Sequence, residues 1–232
     1  VTLLPSIGMR WAFLRMALTT LRYLTGIRLK VEGKDHLNLR RPVIIVANHA
    51  SYIDGAILIC SLREQFRFVA KAELQENFFS RLFLTKLNTL FVERFDAKQS
   101  IKDSTRITDN LLDESNLVYF PEGTFTRMPG LLPFHMGAFT ASVDTGVPII
   151  PIVLRGTRSI LRDGTKLPRL GSVNVKILEP ISCKTGSVSD RWRNSLSIRD
   201  QVREIILTNC AEPDLSLEMV FPVLSNKRIS HG

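Results

Sequence analysis

Cysteine is scarce: Cys60, Cys183 and Cys210 are the only three in 232 residues, an odd number with no C-x-x-C pair. Such a set excludes a disulfide framework and a thiolate zinc site, so all three are expected to be ordinary thiols in a reducing cytosol. The four histidines are scattered and lack H-E-x-x-H spacing, and no metal is implied. Neither a run of about 18 uncharged apolar residues nor a signal-peptide pattern occurs, so a spanning helix and export are not expected. Membrane contact would have to be peripheral. G-x-S-x-G, the P-loop and G-x-G-x-x-G are missing too, which excludes serine hydrolysis, nucleotide hydrolysis and dinucleotide binding in their familiar forms. No zinc-finger spacing or RNP-type aromatic motif is present, and nucleic acid is not expected as a partner. Internal repeats and interdomain linkers are absent.

What is present suffices for one sizeable core: 44% of the residues are apolar and 23% charged. The net charge of +9 and pI of 9.8 call for an anionic partner. Val1 is not an initiator Met, so a longer parent chain with further domains is allowed for.

Residues 8 to 25 have helical periodicity. Arg15, Thr19 and Arg22 fall on one narrow strip, and Trp11, Phe13, Leu14, Met16, Leu18, Leu21 and Leu24 fill the rest. The arc predicts a helix lying in a lipid interface with its arginines reaching phosphates, against the alternative of a helix docked on the domain's own core. Ile27 to Val31, Val43 to Ala47, Phe66 to Ala70, Leu90 to Val92, Leu117 to Phe120, Val147 to Leu154 and Val173 to Leu178 read as strands. The prolines in Val147 to Leu154 suggest an irregular or edge position. Helices are expected over Ile53 to Leu62, Asn77 to Leu87, Lys98 to Ser115, Gly137 to Thr145 and Ile198 to Cys210. Strand alternating with helix gives a single α/β domain with a mostly parallel mixed sheet flanked by helices, preceded by the amphipathic helix. The boundaries are 1–26 for the interface helix region, 27–210 for the domain and 211–232 for a tail.

Asn48-His49-Ala50-Ser51-Tyr52-Ile53-Asp54 follows the strand Val43 to Ala47. With Ser51 as a helix cap, His49 lies in the connecting turn and Asp54 in the first helical turn, where the carboxylate can fold back onto the imidazole. A carboxylate on Nδ1 fixes the tautomer and leaves Nε2 as the acceptor that a general base needs. At the carboxyl end of a parallel strand, this is where open α/β sheets place ligands. Phe120-Pro121-Glu122-Gly123-Thr124 follows another strand in the same manner.

NHxxxxD followed by FPEGT resembles the glycerolipid acyltransferases, the family of 1-acyl-glycerol-3-phosphate acyltransferases. Leu90-Phe91-Val92-Glu93-Arg94 looks like that family's second block and Val147-Pro148-Ile149-Ile150-Pro151 like its fourth. The resemblance implies that fold and a reaction in which His49 activates a hydroxyl, with Asp54 orienting it. Substrate contacts then fall to Asn48, Arg94, Glu122, Gly123, Thr124, Arg127 and His135, with Arg94 as a forked phosphate donor. The implied donor is acyl-CoA or acyl-acyl-carrier protein, with no cofactor. The implied acceptor is a lysophospholipid, 1-acyl-glycerol-3-phosphate first and lysophosphatidylethanolamine as its alternative. A lysolipid-binding docking domain without turnover is the non-enzymatic alternative. Three positions depart from the pattern: Asn88 stands for a usual Gly, Phe125 for an Arg and His135 for a Lys. Arg155, Arg158, Arg162, Lys166 and Arg169, against the single acid Asp163, look like a basic loop for phosphates, a carrier protein or anionic lipid. The expected location is the cytoplasmic face of the cell membrane, held peripherally.

Overall fold

The computed structural model describes residues 6–37, 42–76, 81, 84–85, 87–92, 107–109, 111, 115–165, 167–183 and 188–216. Most of the helices expected over 77–87 and 98–115, together with Arg94 and Lys166, lies outside them.

Among the described residues seven strands form one sheet: β1 (Arg28–Glu32), β2 (Ile44–Ala47), β3 (Phe66–Lys71), β4 (Leu90–Val92), β5 (Asn116–Tyr119), β6 (Ile149–Arg155) and β7 (Ser172–Ile177). Their spatial order is β1-β7-β6-β2-β5-β3-β4. All neighbours run parallel except β6 and β7. β2 is apolar throughout because it is buried on both faces. Its Ile45 and Ala47 pack with α1 (Ile7–Leu24) and α2 (Asp54–Ser61). Its Ile44 and Val46 pack on the opposite side with α3 (Gly137–Thr145) and the long C-terminal α5 (Val188–Cys210). A single turn, α4 (Thr157–Ile160), follows β6. α3 is closed as expected by Gly146 in the left-handed region, φ 70°.

Of the expected edge or irregular position, β6 is not at an edge, for it lies between β2 and β7, but it is irregular on its β7 side. Its proline is tolerated because of where it falls. Pro151 falls between the Ile152–Ile177 pair and the Ile149–Ile181 bridge, where the strand beyond β7 carries one residue more than β6, and its carbonyl accepts from Leu178 N. The missing N–H therefore falls at this bulge, where the regular ladder is already interrupted.

The N-terminal helix also corrects the sequence reading. Trp11, 2% exposed, meets Phe66 edge-on at 4.7 Å, and Leu14 is buried beside it, so this stripe belongs to the core. Arg15 does not reach outward: its guanidinium donates to the carbonyls of Ile59 (3.2 Å) and Arg63 (2.8 Å) at the C-terminal end of α2. Arg22 donates to Ile27 O at 3.0 Å and lies over the Tyr23 ring. Met9, Phe13, Met16, Tyr23 and Leu24 are exposed on the face turned away from the domain. The apolar arc was too wide because it is two faces, one docked and one bare. Nor do residues 211–216 trail from the domain: Leu131 N donates to Pro213 O, and Leu215 N to Leu131 O.

Candidate functional site

The parallel pairing of β2 with β5 and β6 brings the carboxyl ends of these strands to one edge. The turn after β2 therefore stands beside the turn after β5. Asn48 leaves β2 and is buried, its amide donating to Leu154 O at 3.0 Å and accepting from Leu154 N at 2.8 Å. Its side chain acts as one more rung between β2 and β6. His49 follows in the turn, and its Nδ1 lies 2.8 Å from Oδ2 of Asp54, the first residue of α2.

The same Asp54 oxygen accepts from Ala50 N (2.6 Å) and Ser51 N (2.8 Å). The turn thus wraps around one fully buried carboxylate, which also sits at the positive end of α2. Among the described residues Oδ1 of Asp54 is buried without a hydrogen-bond partner. Ser51 was expected to cap the helix. Instead α2 begins at Asp54 with no side-chain cap, and Ser51 Oγ donates to Leu161 O at 2.6 Å, tying the turn to the segment after β6.

Glu122 is buried as well. Its Oε1 accepts from His49 N at 2.6 Å and its Oε2 from Leu132 N at 2.9 Å. Burial outweighs these two bonds and pushes its carboxyl up to about 8. A carboxyl raised from 4.5 holds its proton more tightly when folded, so its contribution to stability is full at low pH and is lost as pH rises to about 8. Between pH 5 and 8 the melting temperature of the wild type should therefore fall relative to that of Glu122→Gln, measured by thermal melts. Parallel curves would show that Glu122 ionises as an ordinary carboxylate.

Gly123 closes this turn, its N–H donating to Phe120 O at 2.9 Å, and Thr124 and Arg127 are exposed beyond it. His135 is exposed, its backbone N donating to Pro121 O at 2.9 Å. Asn88, where a Gly was the usual residue, holds φ 54°, a left-handed conformation that Asn accepts, so the turn before β4 keeps its form. β4 runs parallel to β3 and ends at the same edge, whereas Arg94, two residues on, is outside the described residues. No three His, Cys, Asp or Glu side chains converge to hold a metal ion among the described residues.

Three features were not read from the sequence. Phe120 stacks on the His49 ring at 4.4 Å, and Phe125 meets it edge-on at 4.5 Å. Phe125 also meets Tyr52 at 4.7 Å, whose hydroxyl donates to Asp163 at 2.7 Å. Arg158, assigned above to a phosphate-binding loop, is instead half-buried in a two-bond pair with Glu212, at 2.9 and 2.8 Å, and donates to Thr126 O. Glu212 also accepts from Gly130 N at 2.7 Å. Gly130 itself has φ 147°, and a Cβ there would stand 2.3 Å from Leu215. Arg203 clasps the same region, donating to Asp214 and to Leu131 O, and holds the Asp214 carboxyl well below the usual range. The loop from Thr126 to Leu132 is therefore fixed by two arginines and the segment after α5. The aromatic contacts could have been suspected from Phe125 standing in the motif, but an ion pair between positions 158 and 212 leaves no local trace.

The family described as Acyltransferase matches residues 28–155. The chain is 30% identical to the mouse 1-acyl-sn-glycerol-3-phosphate acyltransferase alpha, over 84% of this chain and 68% of that protein. It is 29% identical to the human protein of the same name, over 79% of this chain and 67% of that one. Among solved structures it resembles the 1-acyl-sn-glycerophosphate (LPA) acyltransferase PlsC from Thermotoga maritima, with a TM-score of 0.66 and 22% identity, over 88% and 84% of the two chains. That likeness shows the shared fold.

Proposed function

The chain belongs to the Acyltransferase family and is an O-acyltransferase, and from that premise we propose that it moves a fatty acyl group from an acyl thioester to the free hydroxyl of a lysophospholipid. The acceptor is 1-acyl-sn-glycerol-3-phosphate, the substrate class that the similar proteins are named for, and the product is phosphatidic acid. The donor is acyl-CoA or acyl-acyl-carrier protein. The observation that carries the reading is the His49–Asp54 bond at the carboxyl edge of the sheet. With Nδ1 engaged by the carboxylate, Nε2 of His49 removes the acceptor's hydroxyl proton as that oxygen attacks the thioester carbonyl. The C–S bond breaks, the proton passes to the departing thiol, and Asp54 stabilises the imidazolium in between. No acyl-enzyme is formed. Glu122 and Asn48 act as positioning groups, since their side chains are bonded to backbone. Gly123, Thr124, Arg127, His135 and Arg94 meet the acceptor's head group. Purified protein should release free thiol from acyl-CoA only when a lysophospholipid is added, read with a panel of acceptors and both donors. Release that is indifferent to acceptor would defeat the reading.

Phe125 supports a second acceptor. Where the family pattern has a guanidinium, this protein packs a phenyl ring on His49 and Tyr52. A head group with less negative charge than a phosphate monoester, such as that of lysophosphatidylethanolamine, suits this wall better. Competition between the two acceptors in the same thiol assay separates them.

Attachment is peripheral, at the cytoplasmic face. Among the described residues no helix is long and apolar enough to cross a membrane, and the bare face of α1 suits a lipid interface. Met9→Ser/Phe13→Ser/Met16→Ser should sharply weaken sedimentation with neutral vesicles while leaving the melting temperature unchanged. Undiminished binding after the triple change would remove α1 as an anchor. Trp11 and Leu14 are unsuitable for this test because they are core residues.

A further inference from the structure

We propose that the loop after α4, described over residues 161–165 and 167–170, is a second membrane-contacting element. It inserts Leu167 and Leu170 into an anionic lipid surface, so that the protein docks with the His49 edge of its sheet against the bilayer. This rests on the acyl-transfer reading only in that the acceptor is a lipid.

Topology puts the loop there. β7 is antiparallel to β6, so the start of β7 lies at the same edge as the end of β6. β1 starts alongside β7, Arg28 with Ser172, which brings the C-terminal end of α1 to that edge too. Arg28 N donates to Gly171 O, and a Cβ on Gly26 would touch Leu170 at 3.0 Å, so the loop abuts the end of the helix. The base of the loop is fixed to the catalytic turn through Ser51 to Leu161 O and Tyr52 to Asp163. Its leucines are bare: Leu167 is 81% exposed and Leu170 80%.

The distribution of exposed apolar side chains gives this loop its meaning. Among the described residues twelve large hydrophobic side chains are exposed, and six of them are on α1. Five more, Tyr52, Leu74, Met128, Leu167 and Leu170, follow the carboxyl ends of strands or belong to this loop at the same edge. The twelfth, Trp192, lies about five turns of α5 before Cys210, whose end reaches the edge. Among the described residues eight of the twelve therefore gather at this edge, the five named and Leu21, Tyr23 and Leu24 at the end of α1. Arg127, Arg155, Arg162 and Arg169 are exposed between these residues, which favours anionic head groups. The apolar residues come singly from a helix and several loops and form no groove. A bilayer demands no shape of the surface that enters it, whereas a protein partner needs packed central anchors.

The test is cosedimentation with vesicles of phosphatidylcholine mixed with phosphatidylglycerol, without donor or acceptor, so its outcome is separate from that of the acyl-transfer assay. Leu167→Ser/Leu170→Ser should lower vesicle affinity about tenfold, equivalent to about 1.4 kcal/mol, with an unchanged melting temperature. Trp192→Ser, a change of another exposed apolar residue at the far end of α5, should leave affinity as it was. If the double variant melts early, Leu167→Ser alone decides by the same criterion. Wild-type affinity in the leucine variant, or an equal loss from Trp192→Ser, overturns the proposal. So does retained vesicle binding with loss of self-association in sedimentation, which would assign the leucines to a protein contact.

Discussion

His49→Ala should lower turnover by on the order of a hundred- to ten-thousand-fold, the usual cost of losing a positioned acid–base group. The fold should survive. The His49 ring is packed by Phe120 and Phe125 and, among the described residues, bonds only Asp54, which would keep Ala50 N and Ser51 N. The kcat should fall while the acceptor's KM stays near normal, because the lost interaction belongs to the transition state. Asp54→Asn should be almost as damaging to kcat, since it leaves the imidazolium without its counter-charge. It differs in removing charge from a buried turn, so its melting temperature should also drop. Near wild-type turnover in His49→Ala would sink the whole mechanism.

Arg158→Ala is expected to be the most destabilising change outside the apolar core. It leaves the Glu212 carboxylate facing Gly130 N alone and frees Thr126 O. Removing one partner of a fully buried pair costs roughly 3–5 kcal/mol; both side chains here keep some exposure, so about 2–4 kcal/mol is expected. For a domain of this size that is a fall in Tm on the order of 10 °C. Arg158→Ala/Glu212→Ala should recover part of the loss, whereas Arg158→Lys should not, because an ammonium cannot serve both Glu212 oxygens and Thr126 in a fork. If Arg158→Ala melts within a degree or so of wild type, the loop after Glu122 is held by other means.

Much of this was legible because the signals are local. A strand buried on both faces must be apolar, and Val43 to Ala47 is; a turn that positions a histidine on a helix-start aspartate is written within seven residues. What could not be read depends on partners distant in the chain. Arg15 and Arg22 look like a solvent-facing strip on a helical wheel, yet the carbonyl ends of α2 and the turn before β1 take them up. Ser51 looks like a cap, yet α2 starts only at Asp54 and the Ser51 hydroxyl donates to Leu161 O, 110 residues on. Pro151 argues for an edge until the partner strand is seen to bulge opposite it. Glu122 sits in a motif associated with the acceptor, but its two oxygens face backbone donors. Propensity is blind to each of these because tertiary hydrogen bonds override it.

The pairing of β1 with β7 also bears on how the protein is made. Arg28 pairs with Ser172, so among the described residues β1 has its sheet neighbour 144 positions further along the chain. On the ribosome, at about 5–20 residues per second, β1 waits on the order of 10 s for that neighbour to be synthesised. Throughout that interval α1 has neither β7 behind it nor Phe66, until the latter emerges, to cover Trp11. The helix is thus an apolar surface in search of a partner long before the domain can close. A chain with this topology presents α1 to solvent as a nascent helix first and as a docked one second.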